Sequence, residues 1–184
     1  MKSSLMNLDN SSTQRRLLVS VATGVFATVL ALTSAPAQAA VPTNTSFTLQ
    51  YVAAGSPNGQ FCLDVPAFNT ANGTQLDLYS CNGGANQSFT SPGDDTLHVL
   101  GKCLEAQGGK TSQLTPVVLN DCVPASNPSL QTTQKWRMDS NGRFHLVNTS
   151  QCLDVYKTGL YQQSPITLIS CTSTPVSYNT WRVA

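Results

Sequence analysis

Short apolar or alternating segments, separated by turn residues, fill residues 47–184, whereas helical periodicity is almost absent. This pattern is typical of an all-β chain. The segments fall into three groups of the same order. In each group a first strand (47–51, 97–100 or 144–147) precedes a cysteine that opens a second strand, and a third strand (76–81, 117–122 or 166–171) ends at another cysteine. The sequence therefore predicts three similar β units.

The cysteines define the repeat. Cys-Leu-Asp-Val occurs at 62–65 and 152–155, Cys-Leu-Glu-Ala occurs at 103–106, and each opening cysteine is followed by another 19 positions later. A unit of this size cannot bury its own apolar face, so we expect three copies packed around a shared centre. The equal spacing favours one disulfide per unit: Cys62–Cys81, Cys103–Cys122 and Cys152–Cys171. Each would contribute roughly 3 kcal/mol in the chain-entropy model.

Each unit closes with a polar residue, any residue and an aromatic. The three closing segments are Gln87-Ser88-Phe89, Gln134-Lys135-Trp136 and Asn179-Thr180-Trp181. We expect the aromatic residues in the core, together with Leu63, Leu104 and Leu153 beside the cysteines. No linker or low-complexity tract divides the three units, which predicts one domain.

The first forty residues have a different character. Lys2, Arg15 and Arg16 precede an apolar run at 17–34, and Ala37-Gln38-Ala39 follows. This order predicts a signal peptide at 1–39 and a secreted, extracellular domain at 40–184, with repeats at about 47–92, 95–139 and 143–184. A single membrane anchor is the alternative for the apolar run, and no membrane span is expected in the mature chain. Six cysteines in an exported chain favour disulfides.

The composition limits the classes of ligand that we expect this chain to bind. Residues 40–184 carry seven Lys and Arg against eight acids, and the basic residues are scattered. Nucleic acid is therefore not an expected partner. Abundant Asn, Gln, Ser and Thr suit a neutral, hydroxylated ligand. No cofactor and no metal are expected, because no Cys-x-x-Cys pair occurs and His98 and His145 stand alone and are expected to face solvent.

With these three cysteine pairs and closing segments in register, the chain resembles the ricin B-type lectin family from about residue 47 to 184. The resemblance implies a β-trefoil with a sugar pocket on the flank of each unit. It assigns Asp64 to accept hydrogen bonds from two adjacent sugar hydroxyls and Tyr79 to stack on the sugar ring. Asn86 would donate to a hydroxyl, and Asp77, where the family often has Gln, would line the pocket with Gln87.

The other two units depart from this pattern. The second has Glu105, Asn120 and Thr133 at the acid, platform and amide positions, so we expect it to bind poorly. The third keeps Asp154, a possible weaker site, but has Ile169, Tyr178 and Asn179, with Tyr156 or Tyr161 as substitute platforms. As alternatives, Asp64 and Asp154 could bond local backbone groups, and Gln87 and Gln134 could be structural.

The sequence favours binding over catalysis. Glycoside hydrolysis normally needs two carboxylates at a set separation, whereas Asp64, Glu105 and Asp154 occupy equivalent positions that a threefold fold keeps apart. We therefore expect no enzyme activity. The predicted function is a secreted lectin for a galactose- or xylan-type sugar, with galactosyl groups or plant or microbial polysaccharides as partners. The alternative is a β-trefoil that binds a protein through its loops, such as a hydrolase inhibitor.

Overall fold

The structure, a computed structural model, describes residues 41–52, 60–129, 131–156, 161–173 and 179–184. Within these ranges it contains strands β1 (Leu49–Tyr51), β2 (Phe61–Asp64), β3 (Thr74–Gln75), β4 (Asp77–Ser80), β5 (His98–Val99), β6 (Lys102–Ala106), β7 (Val117–Asn120), β8 (Trp136–Met138), β9 (Phe144–Leu146), β10 (Gln151–Val155), β11 (Ser164–Ser170) and β12 (Trp181–Val183). Short 3-10 turns lie at Pro66–Phe68, Ala85–Gln87, Gln107–Gly109 and Gln131–Gln134. The predicted signal peptide lies outside the described residues. Among those described, no helix has the length and apolarity to cross a membrane.

The strands pair antiparallel in two sheets, ordered β12-β1-β2-β4-β11-β10-β9-β8 and β3-β7-β6-β5. The pairing closes into a ring of units. The first strand of the third unit, β9, pairs with the last strand of the second, β8, and β1 of the first unit pairs with β12 of the third. Between the first and second units, a bridge joins Thr90 to His98. The predicted β-trefoil of three units is therefore confirmed.

The loop before the third strand of each unit docks on a neighbouring unit in the same way. The backbone N–H of Gly73 donates to Leu119 O (2.8 Å), that of Leu114 to Leu168 O (2.7 Å) and that of Gln163 to Leu78 O (2.7 Å). All three donors have positive φ, of 86°, 64° and 69°. These contacts bring a loop of the third unit against β4 of the first, next to the predicted sugar-binding residues.

The core contains the predicted closing aromatics. Phe89, Trp136 and Trp181 are at most 2% exposed, and Leu63, Leu104 and Leu153 are fully buried. The indole N–H of Trp136 donates to Leu104 O (3.1 Å), and that of Trp181 donates to Leu153 O (3.2 Å). Each closing aromatic is thus anchored on the leucine of its own cysteine motif, except in the first unit, where Phe89 has no N–H to donate.

The six cysteines form the three predicted disulfides, Cys62–Cys81, Cys103–Cys122 and Cys152–Cys171. The two histidines, which were expected to face solvent, are only partly exposed. His98 and His145 are half-buried because they pair across from Cys103 and Cys152 on the neighbouring strand and pack on the disulfides. The nearest ring nitrogens lie 3.9 Å from Cys122 Sγ and 3.2 Å from Cys171 Sγ. The sulfurs of Cys103 and Cys122 are bonded to each other, as are those of Cys152 and Cys171. Neither disulfide therefore offers a thiolate that could bind a metal together with the histidine beside it.

Candidate functional site

The first unit carries a cavity of about 360 Å³. Its described lining consists of Asp64, Pro66, Ala67, Phe68, Asp77, Tyr79, Asn82, Asn86 and Gln163, which we call the first-unit pocket. Four of the five predicted binding residues line it. Gln87, the fifth, is fully buried behind it.

Strand register explains why the two acids and the tyrosine share one face. Asp64 ends β2 and lies directly opposite Asp77, which begins β4. Directly opposite residues have Cβ atoms about 4.5–5.5 Å apart and point to the same side of the sheet. Tyr79 is two residues after Asp77 and therefore projects from the same face. The two carboxylates and the aromatic ring consequently line one pocket.

Two side-chain amides hold Asp64 in place. Asn86 Nδ2 and Gln87 Nε2 donate to Asp64 Oδ2 at 2.8 and 2.7 Å. The same nitrogens donate to the backbone oxygens of Val65 (3.1 Å) and Ser80 (3.0 Å). The 3-10 turn Ala85–Gln87 presents both amides from one short segment. Asp64 is thus fixed by side chains, and the amide nitrogen of Gln87 donates to protein groups.

Two acceptor atoms in the pocket have no partner. Asp77 is 7% and Asn86 4% exposed, yet Asp77 Oδ1 and Asn86 Oδ1 lack any hydrogen bond within the described residues. Burying an unpaired polar atom is costly, so both atoms favour a ligand that supplies donors or positive charge. The expected donor role of Asn86 is not what the structure shows. Its amide nitrogen instead donates within the protein, to Asp64 Oδ2 and Val65 O.

The pocket is electrostatically negative. Burial, and next the charge of Asp64, raises the pKa of Asp77 to about 6. Burial also raises the pKa of Asp64, while hydrogen bonds from Gln87 and Asn86 oppose the rise. Among the described lining residues there is no Lys or Arg. Two carboxylates therefore face the cavity without a basic partner.

Phe68 also lines the pocket, although no sequence pattern marked it as a candidate residue. It is 56% exposed, and both Ala67 and Phe68 have left-handed backbone conformations (φ 50° and 55°). The second unit has Gly108 and Gly109 at the equivalent turn, with φ of 65° and 72°. Non-glycine residues adopt this conformation at a cost of about 1–2 kcal/mol each. Such strain, with an exposed aromatic beside a pocket, points to a functional role for Phe68.

Two further features shape the pocket. Gln163 reaches it from the third unit, on the docking loop described above. Gly84 lies behind Asn86, and a Cβ atom at Gly84 would stand 2.5 Å from Asn86 Oδ1 and 2.9 Å from Asn82 Oδ1. A side chain at position 84 would therefore force the Asn86 and Asn82 amides to shift. The sequence repeat does not predict either feature. Gln163 is distant in sequence from the other pocket residues, and the effect of Gly84 depends on where folding places the Asn82 and Asn86 side chains.

In the second unit a glutamine amide again bonds the acid, but the other residues of the first-unit pocket are replaced. Gln134 Nε2 donates to Glu105 Oε2 at 2.7 Å, as Gln87 does to Asp64. However, Val118 lies opposite Glu105, and Asn120, at the platform position, accepts a hydrogen bond from the Gly73 backbone N–H at 3.0 Å. Thr133, at the position of Asn86, is buried. This unit lacks the second acid and the aromatic ring.

In the described part of the third unit, the acid is kept but not its amide partners. Asp154 is 6% exposed and lies opposite Thr167, and burial raises its pKa to about 7, against a hydrogen bond from the Val155 backbone. Asn179 is buried, and among the described residues its Oδ1 is unpartnered and no side-chain amide bond opposes the rise in the pKa of Asp154. Ile169 is half-buried in β11 at the position of Tyr79.

Of the two tyrosines considered as substitute platforms, Tyr156 lines a cavity of about 250 Å³ to which all three units contribute. Its described lining is Gln75 of the first unit, Leu114 and Pro116 of the second, and Tyr156, Pro165 and Thr167 of the third. Tyr161 is 61% exposed and is not among these residues. Tyr178 lies outside the described residues.

Comparison with known proteins supports one family. A model described as "Ricin-type beta-trefoil lectin domain" matches residues 50–175. The seed lectin of Trichosanthes anguina is 41% identical over 61 residues, which is 33% of this chain and 11% of that protein. The chain spans 11–15% of the length of the curated relatives it matches.

Two solved structures share the fold. A non-toxic homologue of type II RIPs from Momordica charantia, in complex with α-methyl-D-galactoside, has a TM-score of 0.62 at 22% identity, covering 78% of this chain and 49% of that one. The Macrolepiota procera ricin B-like lectin, in complex with lactose, has a TM-score of 0.59 at 19% identity, covering 78% and 96%. The family match over most of the described domain shows that the chain belongs to the ricin-type β-trefoil lectin family.

Proposed function

We propose that this protein is a carbohydrate-binding lectin whose principal site is the first-unit pocket. One observation carries the proposal: Asp64 is held by two amides beside two buried, unpartnered acceptors, Asp77 Oδ1 and Asn86 Oδ1. Sugar hydroxyls are donors that would satisfy these oxygens. Tyr79 supplies a surface for the apolar face of a sugar ring, and Phe68 supplies a second at the rim.

A galactosyl ligand is the first choice, and xylan the second. The two neighbours described above were solved with a methyl galactoside and with lactose, which favours galactosyl recognition here. The pocket is open and modest in size, so one ring stack and a few hydrogen bonds would give millimolar to micromolar affinity. Such a site binds sugar without needing to transform it, and we propose no enzyme activity.

Chromatography on immobilised galactose and xylan tests the proposal. The wild-type protein should be retained and released by the free sugar. Asp64→Asn should weaken binding at least tenfold, because it removes a charged acceptor worth roughly 1.5–3 kcal/mol per hydrogen bond. Tyr79→Ala should weaken it about tenfold through loss of the stack. The matched change Asp154→Asn in the third unit should leave most of the retention intact.

Two outcomes would contradict the proposal. If the folded protein bound no glycan but formed a stoichiometric complex with a hydrolase, the protein-binding alternative would replace it. If Asp154→Asn abolished retention while Asp64→Asn did not, the principal site would lie in the third unit.

We further propose that residues 1–39 direct export and that residues 40–184 form the mature domain. The three disulfides support this proposal, because such bonds persist in oxidising compartments. Mass spectrometry of the protein recovered from culture medium should find a mature N-terminus at residue 40 or 41. A cell-associated protein that retains residues 1–39 would contradict export with cleavage.

A further inference from the structure

Three of the four Asn-Gly dipeptides of this chain lie within the described residues: Asn72-Gly73, Asn82-Gly83 and Asn141-Gly142. The fourth, Asn58-Gly59, lies outside them. In such a pair the backbone nitrogen of glycine can attack the side-chain carbonyl carbon of asparagine and expel ammonia, because glycine has no Cβ to hinder the approach. The reaction needs a glycine N–H without a hydrogen bond and an asparagine side chain that can reach it. The hydrogen bonds around each pair therefore rank the three by reactivity.

Asn82-Gly83 meets both conditions. Both residues are exposed, and among the described residues the Gly83 N–H has no hydrogen-bond partner. The Gly84 backbone N–H donates to Asn82 Oδ1 at 2.8 Å. Because Gly83 N lies in the chain between the two atoms that this bond joins, the bond folds the asparagine side chain back towards it. A donor on the carbonyl oxygen also stabilises the negative charge that develops there during attack.

Asn72-Gly73 is held at both reacting groups. The Gly73 N–H donates to Leu119 O at 2.8 Å. Asn72 Nδ2 donates to Asp121 Oδ2 at 2.7 Å, and Asn72 Oδ1 accepts from Lys102 Nζ at 2.9 Å. Attack at this pair would require both the glycine nitrogen and the asparagine amide to give up their partners. We therefore expect Asn72 to react slowly in the folded protein.

Asn141-Gly142 is an intermediate case. Asn141 is exposed, but the Gly142 N–H donates to Asp139 O at 3.1 Å. Only the attacking nitrogen is restrained here. We therefore expect the rates of amide loss in the folded protein to fall in the order Asn82, Asn141, Asn72.

We propose that Asn82 deamidates spontaneously in the folded protein and that the product weakens sugar binding in the first-unit pocket. Gly83 N bonds to Asn82 Cγ as the Cγ–Nδ2 bond breaks, and ammonia leaves with the proton of the glycine nitrogen. Water then opens the resulting cyclic imide at one of its two carbonyls. One opening gives aspartate. The other gives isoaspartate, in which the side-chain carbon atoms become part of the main chain.

Both products change a residue that lines the pocket. Either one adds a carboxylate to a described lining that holds Asp64 and Asp77 but no basic side chain. Isoaspartate also lengthens the backbone where the Asn82 N–H donates to Gln87 Oε1 (2.9 Å), and Gln87 Nε2 in turn donates to Asp64 Oδ2 (2.7 Å). The reaction at Asn82 stands independently of the proposed function, whereas its effect on sugar binding rests on that proposal.

Peptide mass spectrometry of the ageing native protein tests the reaction. The purified protein is held at mildly alkaline pH, and fragment ions distinguish Asn72, Asn82 and Asn141. Asn82 should lose its amide faster than Asn141 and roughly tenfold or more faster than Asn72, because each hydrogen bond that must break raises the barrier. In a reduced, denatured sample the three rates should be similar. Labelling by a protein isoaspartate methyltransferase should be lost in Asn82→Gln and kept in the matched variant Asn141→Gln.

Affinity chromatography of the aged wild-type protein tests the effect on sugar binding and needs no variant. Fresh protein should be retained on immobilised galactose. In the aged sample, the unretained fraction should be enriched several-fold in protein modified at Asn82. Modification at Asn141, outside the described pocket lining, should be equal in the retained and unretained fractions.

The outcomes separate this inference from the lectin proposal. Fresh protein that is retained on neither galactose nor xylan contradicts the lectin proposal, while amide loss that is fastest at Asn82 still supports the reaction. Equal modification of Asn82 in the retained and unretained fractions overturns the effect on sugar binding and leaves the lectin proposal standing. Amide loss at Asn82 that is no faster than at Asn72 or Asn141 in the native protein overturns the inference.

Discussion

The first and third units place an aspartate at the same position of the same strand but surround it differently. Asp64 receives hydrogen bonds from Asn86 and Gln87, whereas Asp154 receives one from the Val155 backbone. Burial raises the pKa of both acids, to about 7 at Asp154. Gln87 corresponds to Asn179, which is one methylene shorter and leaves its Oδ1 unpartnered among the described residues.

This comparison separates the scaffold from the site. The disulfides, closing aromatics and docking loops repeat in all three units, so the fold does not require a complete pocket. The two acids differ instead in the groups that reach them. Hydrogen bonds from Gln87 and Asn86 oppose the rise that burial causes in the pKa of Asp64, whereas burial raises the pKa of Asp154 to about 7 against a backbone hydrogen bond from Val155. We therefore expect the first unit to dominate sugar binding.

Gly84→Ala should damage the first unit most selectively. The new Cβ would lie within 3 Å of two amide oxygens, and Asn86 cannot move without losing its bonds to Asp64 and Val65. We expect sugar affinity to fall at least tenfold, measured by isothermal titration calorimetry. The Tm should change by a few degrees at most, because the clash is with side chains and not with the core. Unaltered affinity would show that Asn86 is not needed in this position.

Phe68→Gly should reduce function without reducing stability. Glycine adopts the left-handed conformation of this turn without strain, as Gly109 does in the second unit. The gain of about 1–2 kcal/mol from relieved strain is offset by greater freedom of the unfolded chain, so the Tm should stay within a few degrees of wild type. Sugar affinity should fall several-fold. A large loss of stability with intact affinity would mean that Phe68 is structural.

The same comparison shows how far the sequence could predict the molecule. Cysteine spacing and the closing aromatics are local, repeated signals, and they identified the three disulfides and the core positions of Phe89, Trp136 and Trp181. Four of the five candidate residues, Asp64 among them, line one cavity.

The rest of the pocket depends on information that the repeat does not contain. Phe68 enters the wall through a left-handed backbone at non-glycine residues, which no local pattern indicates. Gln163 arrives from another unit through a long-range contact. The direction of the Asn86 amide depends on which groups Asp64 and Val65 present after folding.

Asp154→Asn should change the pH dependence of stability. The folded pKa of about 7 lies above the ordinary value of 3.8, so the folded state holds a proton that the unfolded state releases between about pH 4 and 7. This acid therefore stabilises the fold less as pH rises through that range. Compared with wild type, the variant should be more stable at pH 8, by on the order of 2–4 kcal/mol, and similar at pH 4. Denaturant unfolding at both pH values measures this, and an equal difference at both would exclude titration of Asp154.

Asn179→Gln should make the third unit more like the first, with the smallest effect of the series. The longer amide should reach Asp154 as Gln87 reaches Asp64, and the pKa of Asp154 should fall below about 7. A carboxyl NMR titration measures the change. Sugar affinity should change little, because Ile169 still occupies the platform position. An unchanged pKa would mean that amide length does not explain the contrast between the units.

NMR chemical-shift mapping with a galactoside tests most directly whether the first unit is the principal sugar site. The account predicts that shifts concentrate at residues 64–68, 77–79, 82–87 and 163, with little change at 154–156 and 165–169. Shifts of equal size and affinity in the third unit, or shifts confined to it, would contradict the account.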